Sequence, residues 1–249
     1  MIKVLVHGAC GKMGGHVIEA LKKSDDMELF CGVDHMAKGG EAFTCYNSFD
    51  KVVGKPDVII DFSFHTLVKG VLEYAIKAGV PVVIATTALT DDEKNAVSVA
   101  ANKIPVFLAY NMSFGIALLC DFAKRAAAAF PDADIEIVEA HHNRKVDAPS
   151  GTAVMLANSI KEARPDAEYV YGRGGEAKRK PNEIGIHALR MANIVGEHEV
   201  YITTDSQQLV LRHNAYDRSL FADGAVKAAI YIANKKSGLY NMNDVLSEK

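Results

Sequence analysis

The chain has 249 residues, with 28 Lys and Arg against 31 Asp and Glu, which gives a formal net charge of −3. Proteins that bind nucleic acid usually carry a clear basic excess, so this charge argues against that class of partner. Hydrophobic residues make up 49% of the chain and charged residues 24%, proportions that are typical of a globular protein and exclude broad disorder.

The cysteines are widely spaced, and none belongs to a C-x-x-C pair: Cys10, Cys31, Cys45 and Cys120. This spacing argues against a structural zinc site or a disulfide scaffold and favours a reducing compartment. No apolar run reaches 18 residues, so we expect no membrane span. The first residues are typical of a strand rather than of a secretory signal, which predicts a cytoplasmic protein.

The first half of the sequence alternates short apolar strands with segments of helical periodicity. Continuous Val and Ile runs separated by helices are typical of strands buried on both faces, and therefore of a parallel sheet with right-handed crossovers. Thr90 followed by Glu93 is a capping-box pattern that opens one of the helices. The predicted strands are Lys3–His7, Met27–Val33, Asp57–Asp61, Pro81–Ala85 and Pro105–Ala109, and the predicted helices are Lys12–Lys23, Thr66–Lys77 and residues 90–101.

The pattern changes after Asn111 and becomes that of a mixed or antiparallel sheet with helices. A Gly- and Lys-rich stretch without periodicity predicts a loop, and Gly238 is expected to cap the final helix. In chain order we predict helix Phe114–Phe130, strand Asp134–Ala140, a helix from Ser150 to about Ala163, loop Glu168–Asn182, strands Ile184–Met191, Glu197–Thr204 and Gln207–Ala215, and helix Ser219–Lys236.

Together these elements predict an α/β protein with a Rossmann-like, doubly wound parallel sheet and a second α+β domain that carries a mixed sheet. We assign residues 1–112 and 218–249 to the first domain, because a parallel sheet needs both faces covered and the final helix can supply that cover. Residues 113–217 form the second domain.

A glycine-rich turn separates the first strand from the first helix. It runs Gly8, Ala9, Cys10, Gly11, Lys12, Met13, Gly14. Glycines there let the backbone approach a pyrophosphate, and the helix N-terminus offers N–H donors and a positive dipole end. The spacing is G-x-x-G-x-x-G rather than the usual G-x-G-x-x-G, so the strand–turn–helix context carries the prediction of a dinucleotide site. A turn without a ligand is the alternative.

Asp34 ends the second strand, 20 residues after Gly14, where an acidic residue would bind the adenine-ribose hydroxyls. Because a carboxylate repels a 2′-phosphate, Asp34 favours NADH over NADPH. His35 and Lys38 lie close by in the sequence and could attract that phosphate, which keeps NADPH as a second choice.

Ligands of open α/β sheets bind outside the carboxyl ends of the strands. In this chain those ends carry hydroxyls and backbone groups suited to ribose and nicotinamide rather than ionisable catalysts. The residues concerned are Phe62 and Ser63, then Ala85, Thr86 and Thr87, then Ala109, Tyr110, Asn111 and Met112. Ordinary strand-end turns are the alternative for each.

The stretch 139–153 reads EAHHNRKVDAPSGTA and combines a cationic cluster with a helix start. His141, His142, Arg144 and Lys145 precede Ser150, a suitable N-cap. Positive side chains beside a helix N-terminus make an anion site, and the spacing suits two carboxylates on one small molecule. Either His141 or Lys145 could donate a proton to a substrate that receives hydride.

Two alternatives accompany this prediction. A metal site could use His141, His142 and Asp147, although adjacent histidines point in different directions, unlike the i, i+4 pair of H-E-x-x-H. A capped helix after a polar loop would explain Asp147 and Ser150 but not the cationic cluster.

The same stretch resembles the signature of the dihydrodipicolinate reductase family. The resemblance extends to VHGACGKMG at the start, IDFS at 60–63, AYNMSFG at 109–115, IVGEHEV at 194–200, and FADGAVKAA and SGLYNMNDVL near the end. It therefore covers most of the chain.

The resemblance implies that the chain transfers hydride from NADH or NADPH to a cyclic dicarboxylate, with loss of water, in lysine (diaminopimelate) biosynthesis. It implies a dinucleotide-binding first domain, and a second domain that binds substrate and forms a homotetramer. By match, His141 is the proton donor and Lys145 its catalytic partner, whereas His142, Ser150, Gly151 and Thr152 hold the substrate carboxylates. The cofactor is lined by Gly8 to Met13, Asp34, Ala85 to Thr87 and Ala109 to Met112.

The chain departs from the family pattern at one loop, where the usual G-T-T-G is replaced by Ala85-Thr86-Thr87-Ala88. Two added methyls near the nicotinamide would change the loop or the fit of the cofactor. A non-catalytic nucleotide sensor is therefore a second hypothesis, and a metal-dependent hydrolase a third.

Overall fold

The computed structural model describes residues 1–248, which fold into two compact units. The first unit comprises Met1–Ser113 and the chain from Arg218 onward, and the second comprises Phe114–Asp217. Residue 249 of the predicted first domain lies outside the described residues.

The strands are β1 (Ile2–His7), β2 (Met27–Val33), β3 (Cys45–Tyr46), β4 (Val58–Asp61), β5 (Val82–Ile84), β6 (Pro105–Leu108), β7 (Asp134–His141), β8 (Glu168–Tyr171), β9 (Glu183–Arg190), β10 (Gly196–Thr203), β11 (Gln208–Ala215) and β12 (Gly238–Tyr240). The helices are α1 (Lys12–Lys22), α2 (Val68–Ala78), α3 (Asp91–Ala101), α4 (Phe114–Ala129), α5 (Gly151–Ala163), α6 (Ser219–Ile232) and α7 (Met242–Ser247).

The first unit is built on a seven-stranded parallel sheet in the order β12-β6-β5-β4-β1-β2-β3. Leu5, Ile59 and Ile84 pack on one face beneath α2 and α3, while α6 and α1 pack together and α6 also contacts β4 and β5. Because helices cover both faces, the predicted doubly wound parallel sheet is confirmed. The carboxyl ends of β1, β4 and β5 therefore meet at one edge.

The second unit holds a five-stranded mixed sheet in the order β11-β10-β7-β9-β8, as predicted. Strand β7 pairs antiparallel with β10 and parallel with β9. Alternate residues such as Ile135, Ile137 and Val200 are buried against α4 and α5. The same alternation places Glu139 and His141 on this helix-covered face.

Two predictions about the second half are wrong. Helix α6 ends at Ile232 with Ala233 as its C-cap, not at Lys236 with Gly238 as the cap. Gly238 instead begins β12, because the chain leaves the helix early to pair with β6 at the sheet edge. The predicted loop Glu168–Asn182 begins with β8, a four-residue edge strand that is too short to show clear alternation.

Besides β8, three short strands and helices were not predicted: β3, β12 and α7. The strands β3 and β12 have two and three residues, fewer than two periods of strand alternation, and α7 has six residues, fewer than two helical turns. In the described part of the chain, no helix is long and apolar enough to cross a membrane.

Candidate active site

The glycine-rich turn after β1 has no room for side chains at two positions. Gly8 has φ +78°, and a Cβ there would lie 2.7 Å from the carbonyl oxygen of Phe62. A Cβ on Gly14 would lie 2.2 Å from the carbonyl oxygen of Gly8. The turn then enters α1 through Gly11, its N-cap. Bare backbone at the start of a helix is the geometry that binds a pyrophosphate.

Asp34 directly follows β2 and is tied to this turn. Its Oδ2 accepts the N–H of Cys10 at 2.9 Å, and its Oδ1 accepts the N–H of Met36 at 2.8 Å. Since each carboxylate oxygen has two acceptor sites, Asp34 keeps the capacity to accept ribose hydroxyls. His35 and Lys38 are both exposed, and His35 Nδ1 lies 3.6 Å from Asp34 Oδ1.

A buried polar network joins the ends of the three central strands. Asp61 at the end of β4 is 0% exposed, and its Oδ1 lies 2.7 Å from His7 Nδ1 while its Oδ2 accepts the hydroxyl of Thr86 at 2.7 Å. The N–H of Ala85 donates to the carbonyl of Asp61 at 2.9 Å. The side chain of Thr86 is therefore held inward, and the exposed Thr87 faces outward.

The loop that departs from G-T-T-G keeps a glycine-like backbone. Ala88 has φ +60°, the left-handed region that costs an alanine roughly 1 kcal/mol relative to glycine. The other predicted cofactor loop, Ala109–Met112, presents an exposed Tyr110 and buries Met112. Gly224 of α6 packs directly on the carbonyl of Met112. A side chain cannot fit at this position, since a Cβ there would lie 1.7 Å from the carbonyl oxygen.

In the second unit, the cationic residues cluster at the end of β7. His141 is its last residue, and His142 begins the turn that leads to Lys145. Lys145 Nζ lies 2.8 Å from Asp147 Oδ1, and the Lys145 side chain is 21% exposed. That lysine lowers the pKa of the Asp147 carboxyl by donating a hydrogen bond to it.

Helix α5 begins immediately after this turn. The hydroxyl of its N-cap, Ser150, accepts the N–H of Ala153 at 3.2 Å. Gly151 is exposed and Thr152 is half-buried on the first turn, whose N–H groups lie outside the helix's own ladder. Ser150 itself is 2% exposed, and its N–H donates to Glu139 at 2.9 Å. Ser150 is thus a buried residue that fixes the start of the helix through its hydrogen bonds, whereas Gly151 and Thr152 are the residues of this turn that reach the surface.

A buried carboxylate lies beneath the predicted catalytic histidine. Glu139 is 0% exposed, and its Oε2 lies 2.6 Å from His141 Nδ1. Arg190 of β9 donates to both of its oxygens, at 2.9 and 2.8 Å. Burial alone would raise the pKa of Glu139, but hydrogen bonds from His141, Arg190 and the Ser150 N–H outweigh it and lower that pKa to about 2. The carboxylate is therefore ionised at every physiological pH.

A second buried histidine completes this network. His198 Nε2 of β10 lies 3.1 Å from Ser150 Oγ, and its ring meets that of His141 edge-on with centroids 5.2 Å apart. Burial, reinforced by the nearby His141, lowers the pKa of His198 to about 3. His198 is therefore neutral near pH 7 and acts there as a hydrogen-bonding group.

Comparison with known proteins supplies the decisive observation. The model for the dihydrodipicolinate reductase N-terminus matches residues 2–112, and the model for the C-terminus of that family matches residues 115–246. The chain belongs to the dihydrodipicolinate reductase family. The predicted resemblance is confirmed, and the chain is an enzyme of a family that uses NAD(P)H.

Relatives of this reductase match it from end to end. The 4-hydroxy-tetrahydrodipicolinate reductase of Caldanaerobacter subterraneus subsp. tengcongensis is 43% identical, covering 100% of this chain and 99% of that one. The enzyme of the same name from Methanospirillum hungatei is 38% identical over 99% of both chains. The solved structure of dipicolinate-bound dihydrodipicolinate reductase from Paenisporosarcina sp. TG-14 has a TM-score of 0.82 and 29% identity, covering 98% of this chain and 99% of that one.

Three residues that contact the predicted site residues were not predicted from the sequence: Glu139, Arg190 and His198. One signal was available: Glu139 and His141 are two residues apart on a strand, so they share a face. The register that brings Arg190 opposite His141, and His198 opposite Glu139, cannot be read from the sequence. Among residues 1–248, no group of three His, Cys, Asp or Glu side chains is placed to hold a metal ion.

Proposed function

We propose that this chain reduces 4-hydroxy-tetrahydrodipicolinate to tetrahydrodipicolinate with NADH or NADPH, with loss of water, in the lysine (diaminopimelate) pathway. The observation that carries the proposal is the start of α5, where the exposed Gly151 and the half-buried Thr152 form the first helical turn after the segment that carries His141 and Lys145. A helix start next to cationic side chains is suited to binding an anion. The names of the curated relatives and the dipicolinate bound to the relative from Paenisporosarcina support this substrate class.

The first unit fits a dinucleotide. Gly8 and Gly14 leave a bare backbone that a Cβ would fill, and Gly8 to Met13 would surround the pyrophosphate. We propose that Ala85, Thr86 and Thr87 and the loop Ala109 to Met112 line the nicotinamide half. When bound, the reduced nicotinamide supplies the hydride.

We propose NADH as the preferred cofactor. Asp34 places a negative charge at the ribose end, and its near-complete burial keeps that charge poorly screened. A 2′-phosphate would meet this carboxylate, although His35 and Lys38 lie exposed on the same loop and offer it positive charge. The balance of these charges favours NADH because only Asp34 is fixed by two hydrogen bonds.

The second unit supplies binding and the proton. One substrate carboxylate would accept N–H groups of Gly151 and Thr152, and the other would be held by His142 and Lys145. Lys145 Nζ lies 2.8 Å from Asp147 Oδ1. A substrate carboxylate that binds this lysine therefore takes the place of the Asp147 carboxylate as its negative partner. The reaction takes up one hydride and one proton and releases one water, and we propose His141 as the source of the proton with Lys145 as its partner.

We propose a homotetramer in the cytoplasm. The five-stranded sheet carries its helices on one face, and apolar side chains such as Leu189 and Val210 are exposed on strands β9 and β11. Exposed apolar groups on a sheet face support assembly through this sheet. Nucleic acid is not among the expected partners because the net charge is −3.

One assay tests the proposed function. The absorbance of NADH and of NADPH is followed while freshly generated 4-hydroxy-tetrahydrodipicolinate is added to the purified chain. We expect oxidation of both cofactors and a higher kcat/KM for NADH. Cofactor binding without oxidation in either case would contradict the proposal and support the nucleotide-sensor hypothesis.

A further inference from the structure

Glu139 is placed to control two parts of the proposed site at once. One ionised carboxylate accepts hydrogen bonds from His141, Arg190 and the N–H of Ser150. An ionised carboxylate only accepts, so His141 Nδ1 must carry the hydrogen. The Nε2 atom is then the one that gains or loses a proton, and it borders Gly196, where a Cβ would lie 3.1 Å away.

We propose that Glu139 is a positioning residue of the reaction. It fixes the tautomer and the orientation of His141, and through Ser150 it also fixes the start of α5 that receives the substrate carboxylate. The proton donor and the anion-binding turn are thereby set relative to each other by a single side chain. This inference rests on the proposed function for the roles of His141 and α5.

The surroundings of Glu139 support positioning rather than plain charge pairing. Arg190 also donates to the backbone carbonyl of Asp147 at 2.6 Å, so the same cluster holds the loop that carries Lys145. The charged and titratable groups that interact with Glu139 are His141 from β7, Arg190 from β9 and His198 from β10. Asp147 acts in turn on Arg190, and Lys145 and His213 act on His198. Loss of the negative charge would leave Arg190 and a protonated His141 without their shared partner.

Strand β7 offers a matched control. Glu136 also pairs with an arginine and a histidine, Arg179 and His187, and the His187 Nε2 to Glu136 Oε2 distance is 2.7 Å. Glu136 alternates to the opposite face of the strand and is 30% exposed. A merely structural Glu–Arg–His cluster would behave like Glu136 on substitution.

The test compares Glu139→Gln with Glu136→Gln in the full-length chain. For Glu139→Gln we expect kcat to fall on the order of 10²-fold or more, with NADH affinity unchanged. We also expect the basic limb of its kcat–pH profile to move to lower pH, because the imidazolium loses its carboxylate. For Glu136→Gln we expect kcat within about twofold of wild type and the same pH profile. A Glu139→Gln enzyme with wild-type kcat and pH profile would overturn the inference.

A second variant covers a folding defect in Glu139→Gln. Glu139→Asp keeps the charge but withdraws the carboxylate by one methylene, so we expect a lower kcat with the basic limb near its wild-type position. A Glu139→Asp enzyme that loses no activity would count against positioning as strongly as a silent Glu139→Gln.

A readout without turnover separates this inference from the proposed function. Proton–nitrogen NMR of the His141 side chain should show an Nδ1–H signal in the wild-type chain, because the ionised Glu139 can only accept a hydrogen bond. If the wild type shows this signal but does not reduce the substrate, the proposed function fails and the Glu139–His141 arrangement stands. If the wild type is active but His141 is protonated on Nε2 alone, the inference fails and the proposed function stands.

Discussion

The two helix starts that we propose as anion sites are built in different ways. Helix α1 begins at Gly11 with a tight backbone turn, and its fit to a phosphate depends on Gly8 and Gly14 having no side chains. Helix α5 begins at Ser150, whose hydroxyl caps Ala153 and whose N–H rests on a buried carboxylate. The first site therefore depends on backbone that no side chain obstructs, and the second depends on charged side chains beneath the helix start.

This difference shows why the two sites respond to different perturbations. A site made of backbone is sensitive to a single added methyl and has little dependence on pH. A site built on Glu139, His141 and His198 depends on charge, since the buried Glu139 carboxylate is ionised near pH 7 and the buried His198 ring is neutral. The following predictions test that contrast, starting with the largest effect.

Lys145→Ala tests the charged site. We expect kcat to fall by about 10²-fold or more, because the substrate loses a cation near its reacting ring. Steady-state kinetics provide the measurement, with calorimetric titration of dipicolinate as a check on binding. Lys124→Ala removes a half-buried lysine of α4 that pairs with Glu162, and its kinetics should match wild type. Near-normal turnover by Lys145→Ala would remove this lysine from the mechanism.

Gly14→Ala tests the backbone site. Its Cβ would lie 2.2 Å from the Gly8 oxygen, and relief of that overlap should cost about 1–3 kcal/mol and weaken NADH binding accordingly. The measurement is a titration of cofactor fluorescence. The control is Gly15→Ala on the same helix, where, among the described residues, the new Cβ would have no neighbour within 4 Å apart from the adjacent residues and the backbone of its own helix. It should stabilise the fold and leave the NADH Kd unchanged; equal losses in both variants would contradict this account.

Asp34→Ala tests the charge at the edge of the backbone site. We expect a roughly tenfold loss of NADH affinity, the size of one charge-assisted hydrogen bond, with a smaller loss or a gain for NADPH. Separate Kd values for the two cofactors provide the measurement. Equal losses for both would mean that Asp34 does not discriminate at the ribose.

His198 gives the charged site a dependence of stability on pH. Burial lowers the pKa of His198 from its ordinary value of 6.5 to about 3, so between these values the unfolded chain binds the extra proton. Stability conferred by neutral His198 is complete above pH 6.5 and falls by about 1.4 kcal/mol per pH unit as the pH drops below it. Urea unfolding from pH 7 to 5 should show this slope. In His198→Gln the slope should flatten, whatever the change in absolute stability.

Ala88→Gly is expected to have the smallest effect. Glycine relieves the left-handed backbone at φ +60°, which should stabilise the fold by about 1 kcal/mol and raise Tm by ~2–4 °C. Ala192→Gly, at φ +43° in the second unit, is the matched control and should give a similar rise. If only Ala88→Gly also changes kcat, the strained loop influences hydride transfer; no rise in either Tm would contradict the strain argument.

The core of the fold could be predicted from the sequence wherever a segment carries a full hydrophobic pattern. Strands such as Val58–Asp61 are apolar on both faces, which only a covered parallel sheet accommodates. The edge strands Cys45–Tyr46 and Gly238–Tyr240 carry no such pattern, since their two or three residues are specified by a neighbouring strand. These segments are strands because they pair with a neighbouring strand, not because of their own sequence pattern.

The residues of the candidate site also fall into a group that the sequence predicts and a group that it does not. Residues contiguous in the sequence, from His141 to Thr152, could be proposed together because one turn joins a strand to a helix. Arg190 and His198 come from other strands, and nothing local distinguishes them from ordinary surface residues. Their role depends on strand register, which is set by burial of the isoleucines and valines along the same face.

The final strand also determines the order in which the chain can fold during synthesis. Pro105–Leu108 is made early, yet its partner Gly238–Tyr240 leaves the ribosome more than a hundred residues later. Until then the growing chain exposes an unpaired sheet edge and an uncovered face, the features that invite association with other nascent chains. The intervening residues 114–217 contain every strand of the second sheet, so that sheet has its full set of strands available before the first sheet does.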